Sequence, residues 1–118
     1  IERGDRKILK HGNLESIRNY TDVRDIVRGY AEAIDLPPGI YNLCSDMNVP
    51  MVDVLDILIS YAKCDIPTEA DQTLFRPADF SFKVPSPNKF NELTDWKPTI
   101  TLRQTLRDIL EYWRRELI

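Results

Sequence analysis

The sequence predicts a mixed α/β fold, mostly helical with a few short strands. Three observations predict it. Apolar residues recur at helical spacing in three separate stretches, near 23–36, 50–63 and 102–117. The extended runs between them, such as 7–10, 14–20 and 40–44, are short. Each stretch also ends in a recognisable stop, most plainly Pro37-Pro38-Gly39.

In chain order, residues 1–6 are expected to finish a helix, with Gly4 near its C-cap. Lys7-Ile8-Leu9-Lys10 reads as extended and is broken by the turn residues His11-Gly12-Asn13. A second extended segment covers 14–20. Thr21 and Asp22 both suit a helix N-cap, because a side-chain oxygen there accepts a first-turn N–H. Helix one then covers 23–36, with Val23, Ile26, Val27, Tyr30, Ala31 and Ile34 on one face. Residues 40–44 read as a strand apolar on both faces, as in a buried parallel sheet. One strand is no sheet, and the chain offers few partners for it.

Residues 45–49 read as a loop, and Pro50 suits the first position of helix two, which extends to about 63. That helix carries Asp53, Asp56, Ser60 and Lys63 in a narrow polar stripe, so a wide face is expected to be buried. Burying each of Leu55, Leu58 and Ile59 is worth roughly 1.5–3 kcal/mol. An edge strand is expected over 65–69. Residues 71–87 form a polar, proline-punctuated loop. Ser86-Pro87 opens a short helix with Phe90 and Leu93 inward, and Trp96 packs after it. Thr101 to Gln104 is a capping box. The last helix places Leu102, Leu106, Ile109, Leu110, Trp113 and Leu117 on one face.

The 118 residues amount to one domain, and apolar and charged contents of 42% and 30% are ordinary for a globular protein. A net charge of −3 argues against a nucleic-acid surface, while leaving room for a local anion pocket. No apolar run approaches the ~20 residues of a membrane span. Cys44 and Cys64 have no metal-ligand spacing and read as free, buried thiols of a cytoplasmic protein. With His11 the one histidine, zinc is not expected. His11 has no evident catalytic partner. The four glycines, at 4, 12, 29 and 39, cannot form a P-loop or a G-x-G-x-x-G turn. No catalytic residue is therefore expected, and binding remains.

Arg18 stands just before a capped helix start, where a guanidinium and a helix N-terminus can converge on one anion. Pro77 biases Arg76 toward an extended backbone. Arg18 and Arg76 could together clamp a diphosphate, and Asp79 could accept hydrogen bonds from the vicinal hydroxyls of a ribose. The blander reading makes the arginines solvated surface residues and Asp79 a turn residue.

Six segments then fall in a telling order. They are Gly12-Asn13-Leu14, the run from Arg18 to Arg28, Tyr41-Asn42-Leu43, Arg76-Pro77-Ala78-Asp79, Thr94-Asp95-Trp96-Lys97-Pro98 and Tyr112-Trp113-Arg114. Together they resemble the C-terminal part of extended short-chain dehydrogenases/reductases acting on nucleotide-sugars. The Thr21-Asp22-Val23-Arg24-Asp25 version is most similar to the GDP-4-keto-6-deoxy-mannose reductases. GDP-mannose 4,6-dehydratases are the runner-up, followed by other nucleotide-sugar dehydratases and epimerases.

The resemblance implies that 1–118 is a nucleotide-sugar-binding portion lacking its Rossmann half, with about 18–48 and 99–118 packing on that half. It implies that Arg18 and Arg76 contact the diphosphate, that Asp79 contacts the ribose, and that Ile8-Leu9-Lys10 passes near the base. It also implies NAD(P) and the catalytic Tyr-x-x-x-Lys pair in the absent half, a GDP-sugar as partner, and a homo-oligomeric full-length enzyme. Asn19 stands where aspartate is common, and Cys44 and Asp46 replace the usual glycines. The competing expectation is a stand-alone helical interaction module with no small-molecule site.

Overall fold

The computed structural model describes residues 1–76 and 84–117. The elements run β1 (Leu9–His11), β2 (Ile17–Asn19), α1 (Val23–Ala33), β3 (Asn48–Pro50), α2 (Met51–Ser60), β4 (Thr68–Ala70), a single 3-10 turn (Gln72–Leu74), α3 (Asn88–Leu93) and α4 (Leu102–Glu116). The four strands among the described residues form two separate pairs. β1 and β4 run parallel, with Leu9 opposite Thr68 and His11 opposite Ala70. β2 and β3 run antiparallel, with Arg18 opposite Val49. α2 packs against α4.

The helix ends follow the capping residues. Asp22 accepts the Arg24 backbone N–H at the start of α1, and Thr101 accepts that of Gln104 at the start of α4. The reciprocal half of the capping box is not made, because the Gln104 side chain donates to Asp108 at 2.6 Å. α1 stops at Ala33, shorter than its apolar period, and Leu36 closes a turn back on Ala33. Residues 1–6 are a turn, with Gly4 at φ 82° and its N–H on the Ile1 carbonyl, and not the end of a helix.

Two strand expectations change. Residues 48–50, expected in a loop and a helix start, form β3 because β2 supplies the ladder partner. Residues 40–44, expected as a strand, join neither sheet among the described residues. A buried central strand needs neighbours on both edges, and nothing described here provides them.

The core is small. Trp96 and Phe90 are each 1% exposed and meet edge to face at 5.8 Å, with Tyr41 completing the aromatic cluster. Cys44, Val54 and Leu106 are buried as well. The radius of gyration is 17.3 Å, against about 13.5 Å for a compact domain of this length. The extents of 52 × 34 × 18 Å describe a slab too thin to enclose large helix faces.

The expected inward face of α1 is accordingly turned outward: Val23, Val27, Tyr30 and Ile34 are 61–81% exposed, while Asp25 and Gly29 on the opposite side are buried. On α4 only Leu106 is buried, and Ile109, Tyr112, Trp113 and Leu117 are about half exposed. Leu93, expected inward, is 50% exposed at the end of α3. Cys64, expected buried, lies exposed in the turn after α2.

Candidate functional site

Two features compete for attention: the arginine-bearing ribbons that the sequence singles out, and a buried acidic hub that it does not. Arg18 sits mid-strand in β2, half-buried, with one guanidinium nitrogen donating to the Ile17 carbonyl at 2.8 Å. The segment around it is stitched to the loop before β3. The Asn19 amide donates to the Ser45 carbonyl at 2.8 Å and to Asn48 Oδ1 at 3.1 Å. Thr21 Oγ1 accepts the Ser45 N–H at 2.8 Å, and the Ser45 hydroxyl donates to the Tyr20 carbonyl at 2.6 Å. Arg18 is thus carried by a rigid strand rather than a loose loop.

Arg76 is exposed two residues after the 3-10 turn, following Phe75 in extended geometry. That turn is anchored to β1. The Asp71 N–H donates to the His11 carbonyl at 2.8 Å, and the Asp71 carboxylate accepts the Thr73 N–H and hydroxyl while facing Lys10 at 3.8 Å. Those Thr73 hydrogen bonds hold the Asp71 carboxyl below the usual carboxylate range. The backbone of Leu74 also lies directly against Gly12. The segment leading to Arg76 is thus held at the β1/β4 pair, whereas Arg18 belongs to the separate β2/β3 pair. Asp79 lies outside the described residues.

The N-terminus of α1 is not an open anion site as the sequence suggested. The Asp22 carboxylate occupies it, 6% exposed, held bidentate by Arg24 at 2.9 Å and by the Thr105 hydroxyl at 2.6 Å. The Arg24 hydrogen bonds, ahead of the opposing effect of burial, keep the Asp22 carboxyl well below the usual range. A second anion there would meet a fixed negative charge.

Asp25, three residues on, is 1% exposed and accepts from Thr99 and Ile100 backbone N–H groups, the Thr99 hydroxyl and Arg28. Burial opposes its ionisation, but the hydrogen bonds from Ile100, Arg28 and Thr99 outweigh that cost and leave its carboxyl below the usual range. The Asp25 carbonyl accepts the Trp96 indole N–H at 2.9 Å. Asp22 and Asp25 are thus structural, fixing α1 to α4 and to residues 96–100. Sequence reading missed this because the partners lie more than seventy residues away.

A cleft of 310 Å³ opens beside Asp22, bordered by Tyr20, Ser45, Met47, Thr101 and Thr105. A second, apolar cleft of 500 Å³ runs between α2 and α4 beside the Glu2–Arg114 ion pair. Neither is lined by Arg18 or Arg76. His11 Nδ1 lies 2.9 Å from the Gly12 carbonyl, which gives it no nucleophile to serve. Among the described residues no group of three metal-ligating side chains forms. No helix among them is long and apolar enough to cross a membrane.

Each of the four glycines has a local structural setting. Gly4 makes a turn, Gly12 meets Leu74, Gly29 lies inside α1 against Leu43 and Trp96, and Gly39 faces Tyr41. None of the four opens a phosphate-binding strand-to-helix turn.

Comparison with known proteins gives these observations a setting. A family model described as GDP-mannose 4,6 dehydratase matches residues 1–109. The GDP-6-deoxy-D-mannose reductase of Pseudomonas aeruginosa is 27% identical over 107 residues, covering 89% of this chain and 35% of that protein. The structure of RMD from Pseudomonas aeruginosa complexed with NADPH superimposes with a TM-score of 0.86 at 25% identity, covering 98% of this chain and 39% of that one. The UDP-glucose 4-epimerase from Bifidobacterium longum, in complex with NAD+ and UDP, shares the fold at a TM-score of 0.79 and 19% identity, over 98% of this chain and 37% of that chain. The chain thus spans little more than a third of the length of the relatives it matches.

Proposed function

The chain belongs to the GDP-mannose 4,6 dehydratase family, and from that premise we propose that it is the nucleotide-sugar-binding part of an NAD(P)-dependent GDP-4-keto-6-deoxy-mannose reductase. The observation that carries this reading is the similarity to a GDP-6-deoxy-D-mannose reductase along 89% of the chain.

In this reading Arg18 and Arg76 neutralise the diphosphate, with their forked donors matched to its oxygens. Asp79 accepts from the ribose hydroxyls, and Ile8-Leu9-Lys10 passes along the base. The cofactor belongs to the remaining part of the protein, where it supplies the hydride. The outward faces of α1 and α4, within 18–48 and 99–118, pack against that part. Their exposed Val23, Val27, Tyr30 and Ile34 and the thinness of the slab support this.

A dehydratase is the second reading, favoured by the family whose model matches. The two differ in redox balance. A reductase consumes one NAD(P)H for each 4-keto group reduced, whereas a dehydratase loses water from GDP-mannose and returns its cofactor unchanged. The full-length protein is therefore incubated with GDP-4-keto-6-deoxy-mannose and NADPH. Stoichiometric loss of nicotinamide absorbance supports the reductase. No loss, with conversion of GDP-mannose alone, establishes the dehydratase. Membership of an enzyme family speaks against a stand-alone helical interaction module.

A further inference from the structure

We infer that Gly12 is a positioning residue for Arg76, acting through its contact with the backbone of Leu74; this deepens the diphosphate-binding reading above and rests on it. A Cβ added at Gly12 would lie 2.7 Å from the Leu74 carbonyl oxygen, 3.2 Å from its carbonyl carbon and 3.4 Å from its Cβ. The obstruction is backbone, which cannot swing aside as a side-chain tip can. Gly12 has no positive φ, so the requirement is space and not conformation.

Both sides of the contact are pinned. His11, the preceding residue, pairs with Ala70, and its carbonyl accepts the Asp71 N–H at 2.8 Å. Leu74 is tied back to Asp71 at 3.0 Å, and Phe75 to Gln72 at 3.2 Å. Relief of a clash at Gly12 therefore falls on the Leu74 end of the 3-10 turn. Arg76 is the second residue beyond it. A displacement of about an ångström is enough to spoil bidentate geometry, which costs far more than its size implies.

The test is a double-mutant cycle in the full-length protein, with GDP binding measured by calorimetry for wild type, Gly12→Ala, Arg76→Ala and the double variant. Gly12→Ala is expected to weaken GDP about tenfold, and to weaken it no further once Arg76 is alanine. An equal loss in both backgrounds overturns the inference, because it marks Gly12 as merely structural. So does an unchanged affinity in Gly12→Ala while Arg76→Ala binds weakly; the site reading then survives alone. If Arg76→Ala binds GDP normally, the site reading and the inference fall together.

Asp71→Ala supplies the second variant should Gly12→Ala not fold. It loosens the same turn by removing the Thr73 and Lys10 contacts without adding an atom. Its loss of GDP affinity is likewise expected to vanish in the Arg76→Ala background, and an additive loss overturns the inference.

Discussion

Asp25 Oδ2 accepts the backbone N–H of Ile100 at 2.9 Å, joining residues 75 positions apart. The same oxygen takes the Thr99 N–H at 2.9 Å. One carboxylate thus replaces the sheet or helix partner that residues 99–100 lack.

Asp25→Asn keeps the shape but turns a donor toward donors. In the full-length protein it is expected to lower the unfolding free energy by about 3 kcal/mol, the scale for breaking a buried, hydrogen-bonded charge. Equilibrium urea unfolding measures it; a loss below about 0.5 kcal/mol, the level of an ordinary surface change, contradicts the structural role.

Acid is expected to loosen the same connections. Asp22, Asp25 and Glu2 all have folded-state carboxyls held below their unfolded values, Glu2 at about 2 through Arg114 and the Lys63 N–H. Groups of this sign contribute fully above the ordinary carboxylate range near pH 4. Their contribution is lost as pH falls from that range through the folded value, for Glu2 between about 4.5 and 2. The urea midpoint is therefore expected to fall steeply over that window, and less steeply in Asp22→Asn. Parallel profiles would remove Asp22 from the account.

Gly29→Ala sets two effects against each other. Alanine gains up to ~1 kcal/mol of helix propensity. Its Cβ, however, would lie 2.7 Å from Leu43 Cδ1 and 3.0 Å from Trp96 Nε1. Leu43 can move, but the indole is held by the Asp25 carbonyl. Overpacking costs 1–3 kcal/mol, so a net loss of about 1 kcal/mol is expected. Adding Leu43→Ala to Gly29→Ala should recover less than the cost of Leu43→Ala alone; thermal shifts of the three variants decide it.

Asp108→Ala should matter little. Its partner Arg24 is 53% exposed at the side chain and keeps Asp22. An exposed pair contributes at most about 1 kcal/mol, and the loss should shrink further in high salt. A salt-insensitive loss of several kcal/mol would contradict this.

Val27→Asp tests the outward face of α1. In the isolated 118-residue chain it removes little buried surface and should be near neutral, since Val27 is 61% exposed. In the full-length protein it should destabilise by about 2–3 kcal/mol if that face is covered. Equal effects in both would refute the proposed packing.

What was legible in the sequence follows from the range of the forces involved. Asp22 and Thr101 were readable as caps because their partners sit two and three residues away. The apolar period of α1 was equally readable, but periodicity names a face and not its occupant, so Val23 and Ile34 were expected inside and lie outside. β3 was missed because three residues become a strand only when β2 lies alongside. Asp25 resembled a helix-surface acid, since nothing local marks Thr99 and Ile100 as its donors. Arg18 and Arg76 were singled out by neighbouring Asp22 and Pro77, while Gly12 was read as turn chemistry and as part of the Gly12-Asn13-Leu14 segment, and its contact with Leu74, sixty-two residues on, had no local signal.

The two tryptophans sit in opposite surroundings. Trp96 is sealed with its indole N–H engaged, and Trp113 is 52% exposed. In the isolated chain this contrast is expected to give a two-colour optical gauge: blue emission from Trp96 and red, quencher-accessible emission from Trp113. Rupture around Asp25 would shift the first colour while leaving the second in place, so fluorescence alone can tell local breakage from collapse of the whole.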